Sequence, residues 1–299
     1  MTRRWIGALL AAALVLAGTT WAGVRVDPSR PRPGDLFRIF WRPDAAGGPW
    51  RVRFDGREFP LWPGPDGGWE GLAAVDATAE PGPRSLEIVG RTGPAARQRI
   101  EVAPRSFGEQ RLRVDPRLVN PNPEDAARAA REAKRIREVL ARISRPRLWN
   151  PPFFLPARGP VSSPFGVRRV YNGEPRGYHS GLDIAAPRGT PVRAAAAGVV
   201  ALADELFYTG RTVFLDHGLG LFTAYFHMDE IRVRPGQPVE AGDVLGVVGS
   251  TGRSTGPHLH WGAYLEGIKA DPLTLPGLAA RPGRRAGAGV ARGAGAKEP

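Results

Sequence analysis

HLHWGAYL, residues His258 to Leu265, is the stretch on which the reading of this chain turns. Its aromatic and aliphatic residues suit a β-strand. Alternate side chains of a strand point to one face, so His258 and His260 would present two imidazoles side by side, about 6 to 7 Å apart. A spacing of two arises often by chance, and the pair alone carries little. The other histidines give it weight: all five in the 299-residue chain, His179, His217, His227, His258 and His260, fall in the second half.

Two further stretches supply partners. In YHSGLDIAAP (178–187), His179 and Asp183 stand four apart with Gly181 between them. An imidazole nitrogen and a carboxylate oxygen are two of the three protein ligands of a catalytic zinc site, and the glycine allows a turn that lets both converge. Either His260 or His258 can supply the third ligand, leaving one tetrahedral position for water. The chain has no cysteine, which excludes thiolate chemistry, a disulfide framework and a Cys-type structural zinc site. LDHGLGLFTAYFHMDEI (215–231) reads as a hairpin: a strand to Asp216, a turn over 217–220, and a strand Leu221–Met228 that His227 closes. His217, in the turn, is expected to be structural or exposed.

These stretches, with SSPFGVRRVYNGEPRGYHSGLD upstream and GSTGRSTGPHLHWGAY around the opening pair, resemble the lysostaphin-like, LytM-type zinc endopeptidases that cut the peptide part of bacterial peptidoglycan. The likeness covers about residues 154–276. It implies a lysostaphin-like antiparallel β domain of the duplicated hybrid motif type. By position it implies His179, Asp183 and His260 as zinc ligands and His227 and His258 as the catalytic pair, without dividing base from oxyanion donor between them. It also implies zinc as cofactor and a metal-activated water as nucleophile. Arg168, Arg169, Tyr171 and Asn172 precede the zinc element and are candidates to touch substrate carboxylates. Gly249, Gly252 and Gly256 would keep the loop before HLH open to an extended peptide. A non-catalytic wall-binding or hydrolase-activating relative is the competing reading, and loss of a ligand would mark it; every signature position is filled. A broad extracellular protease is a third.

Outward from this region, 39 glycines and 31 prolines punctuate short β-prone runs, and a mainly β protein is expected. Residues 23–106 alternate apolar and polar side chains, as in LFRIFWR, and read as an immunoglobulin-like β-sandwich without a histidine. Residues 107–152 form a linker with one helix, about 124–143, opened by Pro123 and striped by Ile136, Val139, Leu140 and Ile143. The zinc peptidase domain spans 153–276, and a basic Gly/Ala/Arg-rich tail, expected to be disordered, spans 277–299. Residues 1–22 carry two arginines, an apolar run and small residues ending in Ala22, the pattern of a signal peptide cleaved on export rather than retained as a membrane anchor. The net charge is +13, almost all arginine, since Lys134, Lys269 and Lys297 are the only lysines. Outside the cytoplasm such charge suits anionic envelope polymers rather than nucleic acid. Peptidoglycan peptides are the expected substrate.

Overall fold

A computed structural model of the chain describes residues 23–43 and 47–279. The expected signal segment and all of the basic tail beyond residue 279 lie outside the described residues. No described helix is long and apolar enough to cross a membrane.

The first unit contains β1 (Gly23–Asp27), β2 (Leu36–Arg42), β3 (Arg51–Phe54), β4 (Arg57–Pro63), β5 (Trp69–Ala74), β6 (Gly82–Gly90) and β7 (Gly93–Val102). Pairing is antiparallel throughout, in the order β1-β2-β5-β4 and then β3-β6-β7, with the β3–β4 hairpin joining the two groups. That is the strand order of a constant-type immunoglobulin sandwich. The alternation read in LFRIFWR has its physical cause here: Phe37, Ile39 and Trp41 are buried, and Arg42 is exposed.

The linker is more structured than its composition suggests. Its first part forms β8 (Glu109–Leu112), which pairs in parallel with a strand of the next unit. Helix α1 (Pro123–Leu140) follows, capped by Asn122, whose side chain accepts from the Asp125 amide, with Glu124 and Asp125 at its positive end. The helix stops three residues short of Ile143, which is 51% exposed. Beyond Leu140 the chain is drawn away: the Ser144 hydroxyl donates to Asp216 Oδ2 at 2.7 Å and its carbonyl accepts from Leu219 at 2.8 Å. Val139 and Leu140 do pack, against Leu202, Phe214, Phe222 and Tyr264.

The second unit contains β9 (Val161–Ser163), β10 (Arg168–Tyr171), β11 (Glu174–Tyr178), β12 (Leu182–Ala185), β13 (Pro191–Arg193) and β14 (Gly198–Leu206). It continues with β15 (Gly210–Asp216), β16 (Leu221–Ile231), β17 (Pro238–Val239), β18 (Val244–Val248), β19 (His258–Leu265) and β20 (Ile268–Ala270). The main path runs β17-β14-β15-β16-β19-β12-β9, with β18 bridging β13 and β16; β11-β10-β8 form a small separate sheet. One apolar cluster runs through both units. Between them Arg105 bridges two buried carboxylates, Asp35 at 3.1 Å and Asp271 at 2.6 Å, and the rings of Trp62 and Trp149 meet edge to face.

Candidate metal centre and cleft

The strand HLHWGAYL is β19, lying between β12 and β16. His260 stands directly opposite Asp183 on β12 and opposite Phe226 on β16, and His258 stands opposite Ala185. Directly paired residues of antiparallel strands share a face. The register alone therefore brings Asp183, His258 and His260 together, and the Phe226 ring stacks on His260 at 4.9 Å. His179 precedes β12, and its amide donates to the Val167 carbonyl.

His179, Asp183 and His260 are all buried, and each turns one ligand atom to a common point. His179 Nε2 lies 2.9 Å from Asp183 Oδ1 and 2.9 Å from His260 Nδ1; His260 Nδ1 lies 3.0 Å from Asp183 Oδ1. His179 Nδ1 is 2.8 Å from the Pro164 carbonyl, which can only accept, so the ring proton sits there and Nε2 turns a lone pair inward. Burial pushes the His260 imidazole down to about 4, and its Nε2 is buried without a partner, so the ring's polar contacts all lie at Nδ1. Burial by itself would raise the Asp183 carboxyl, but hydrogen bonds and charge from His179 and His260 outweigh it and hold the group well below the usual carboxylate range. An ionised oxygen and two imidazole nitrogens converging at the buried floor of a cleft leave lone pairs that protons satisfy poorly and a divalent cation satisfies together. The donor set fits such an ion.

The second oxygen of Asp183 is taken. Arg169 Nη2 donates to Asp183 Oδ2 at 3.1 Å and to Ser163 Oγ at 3.1 Å, while its Nη1 donates to Gln110 Oε1 on β8. Arg169, read from the sequence as a candidate substrate contact, is buried at the cleft wall and forms an ion pair behind the His-Asp-His cluster. Asn172 is exposed, and its amide group exchanges two hydrogen bonds with the Val114 backbone, at 3.1 and 3.0 Å. With φ of 51° followed by Gly173 at 92°, it forms the two-residue turn of the β10–β11 hairpin, a role the Asn-Gly pair signals in the sequence. Tyr171 does line the cleft, as do Tyr208, Arg253 and the site histidines.

His227 and His258 face one another with ring centroids 4.9 Å apart. Each gives its Nδ1 proton to a backbone carbonyl, His227 to Thr251 and His258 to Gly256, both at 2.8 Å. Each therefore keeps a lone pair on Nε2, and His258 Nε2 lies 3.7 Å from Asp183 Oδ1. Burial, reinforced by the charges of His258 and His260, pushes His227 down to about 3. His227 does not end its strand: β16 runs on to Ile231, and the register slips around His227, whose φ is 61°. A bulge with left-handed backbone lets adjacent Phe226 and His227 both reach the site, which regular alternation forbids.

Gly181 is required for space rather than for a turn, because a Cβ there would lie 2.4 Å from the Trp261 carbonyl and 2.7 Å from His260 Nε2. Gly249 and Gly252 allow close approach within the fold, to Asp229 and Gly210 respectively, and only Gly256 of the three meets open space. His217 is fully buried, donating to the Ala197 carbonyl at 2.7 Å and accepting from Thr223 at 2.8 Å, which makes it structural. Gln110 and Arg253 were not singled out by the sequence. Gln110 carries no signal, since Arg169 lies 59 residues on; Arg253 stands within GSTGRSTG, where a long cation among small residues is a signal.

Residues 177–272, which contain both β12 and β19, match the model of peptidase family M23. The chain is 43% identical over 115 residues to the DD-carboxypeptidase/endopeptidase Mpg of Neisseria meningitidis serogroup B, covering 38% of this chain and 26% of that protein. It is 39% identical over 119 residues to the peptidoglycan DD-endopeptidase ShyA of Vibrio cholerae, covering 39% and 28%. The chain thus spans about a quarter of the length of these curated relatives. A crystal structure from Pseudomonas aeruginosa, assigned to peptidase M23, matches 82% of this chain and 93% of its own at 34% identity, with a TM-score of 0.65. Because that likeness extends over sandwich and second unit together, and the family model falls on the strands that assemble the His-Asp-His cluster, this chain belongs to peptidase family M23.

Proposed function

We propose that this chain is an exported zinc endopeptidase acting in the cell envelope, hydrolysing D,D peptide links in the stem peptides or cross-links of peptidoglycan. The observation that carries the reading is the convergence of His179 Nε2, Asp183 Oδ1 and His260 Nδ1 beside two further imidazoles whose Nε2 lone pairs are free. The relative named as a peptidoglycan DD-endopeptidase supplies the substrate class.

When bound at this cluster, zinc would polarise the scissile carbonyl and lower the pKa of a water at its open position. The chain's own groups do the rest. With Nδ1 turned to a backbone carbonyl, His227 and His258 each present Nε2 to the cleft as an acceptor for the proton of the attacking water. Once protonated, the same nitrogen donates to the oxygen that gains charge or to the departing amine. The two rings, 4.9 Å apart, are close enough to act as a unit on one substrate group. Phe226, stacked on His260, keeps water from that ring's flank. The basic surface would hold the protein near anionic envelope polymers.

Incubation of purified sacculi with the zinc-loaded protein, followed by muropeptide analysis, tests the reading. Cleaved cross-links are expected, and a chelator should abolish them. His260→Ala should lose both metal and activity, whereas His258→Asn should keep the metal and lose about 10²- to 10⁴-fold in turnover. Sacculi left intact by the loaded protein, with casein digested instead, would replace this reading by that of a general protease.

A further inference from the structure

Three arginines line the cleft, and two are already paired. Arg169 holds Asp183, and Arg176 is bound to Glu174 and Asn120. Arg253 has no carboxylate within ion-pair distance among the described residues, although its surroundings fix it in place. Its amide donates to the Tyr208 carbonyl at 2.8 Å, and one Nη1 proton goes to the Leu118 carbonyl at 3.3 Å. Its guanidinium carbon sits 4.4 Å from the ring centre of Tyr208 and 4.9 Å from that of Tyr171. A guanidinium held against two tyrosine faces loses little further freedom on binding, and its remaining N–H groups match a carboxylate two at a time.

Its place in the chain relates it to the reacting groups. The loop that carries Arg253 supplies both carbonyls that orient the histidine pair, Thr251 for His227 and Gly256 for His258. Arg253 lies between these two anchors, on the wall of the cleft that His227 and His258 also line. A group bound by Arg253 is therefore held within the same cleft as the bond being cut.

We propose that Arg253, braced by Tyr171 and Tyr208, is the specificity-determining residue of the cleft and binds a free carboxylate on the residue that supplies the leaving amine. The inference rests on the peptidase reading above and narrows its substrate: D,D links whose leaving residue keeps an unmodified α-carboxylate are preferred over links in which that group is amidated or absent. A neutral bridge leaves the guanidinium facing no charge, and this unsatisfied partner is the source of discrimination.

The test uses two cross-linked muropeptide dimers, one with the α-carboxylate beside the scissile nitrogen free and one with it amidated, and the zinc-loaded full chain as wild type, Arg253→Gln and Arg253→Lys. Wild type should cleave the free-acid dimer with kcat/KM about 10- to 100-fold above the amide, as expected for a charge-assisted pair. Arg253→Gln should bring the ratio to within about threefold by losing rate on the free acid alone. Arg253→Lys, which keeps the charge without the fork, should fall between. Metal content and thermal midpoint are measured on each variant, and both should match wild type. Equal cleavage of the two dimers by wild type, or a preference that survives Arg253→Gln, overturns the proposal. Cleavage of neither dimer by metal-replete wild type overturns the peptidase reading itself and this inference with it.

Discussion

The two oxygens of Asp183 face different charges: Oδ1 turns to the imidazole cluster, and Oδ2 accepts from Arg169. Arg169→Met would leave Oδ2 buried and unpaired and let the carboxylate rotate away from the shared point. Partners behind a metal ligand typically affect affinity by about 10- to 100-fold, and that loss of zinc affinity is expected here. Competition against a chromophoric chelator measures it; an unchanged dissociation constant would mean that the ion pair merely fills space. The imidazoles follow one rule with one exception. His179, His217, His227 and His258 each give Nδ1–H to a backbone carbonyl, while His260 directs Nδ1 into the cluster.

At the scale of elements, the site is built where β19 passes between β12 and β16, and the spacing of those strands sets the distances between ligands. Gly181 marks the tightest point of that packing. Gly181→Ala would push a methyl against the Trp261 carbonyl and the His260 ring, and overpacking of this kind costs about 1 to 3 kcal/mol. A lower thermal midpoint and weakened metal binding are expected together, because the displaced group is itself a candidate ligand. Gly256→Ala, where a Cβ would meet open space, is the control and should leave both quantities unchanged. The linker contributes more than a connection. Its β8 places Gln110 behind Arg169, and α1 anchors the turn between β14 and β15 at the cleft, Glu132 accepting from the Phe207 amide at 2.7 Å.

Across the whole molecule, the sandwich is bound to the second unit through a shared apolar cluster and the Asp35–Arg105–Asp271 bridge. Arg105→Met would leave two buried carboxylates facing each other, and loss of one partner from such a buried cluster costs about 3 to 5 kcal/mol. Urea unfolding should register that loss, with part of it recovered when Asp271→Asn is added. Acid should weaken the fold for a separate reason. Burial pushes His217 down to about 4 from an ordinary value of 6.5, so the unfolded chain binds a proton that the folded chain refuses. Its stabilising effect is full above pH 6.5 and is lost as pH falls toward 4, a loss of roughly 2 to 3 kcal/mol by pH 4.5. Unfolding free energies at pH 7.5 and 4.5 should show the drop, and His217→Gln should show a smaller one. An equal drop in the variant would assign the effect elsewhere.

The mainly β class, the strand at 258–265 and the set of His179, Asp183 and His260 were legible in the sequence, because strand periodicity and metal-ligand chemistry are properties of short stretches. The helix end at Leu140, the partners that hold Arg169 and Asn172, and the strand running on past His227 were not, because each depends on a residue outside its own stretch: Asp216 draws Ser144 off the helix, Asp183 holds Arg169, and Val114 holds Asn172. The same holds for the bulge at His227, whose amide donates to Thr209 and whose ring donates to Thr251. Local sequence determined which side chains could do chemistry here. Which nitrogen faces the His-Asp-His cluster and which glycine must have no side chain were decided by the packing of β12, β16 and β19, since these are relations between strands and belong to no single one.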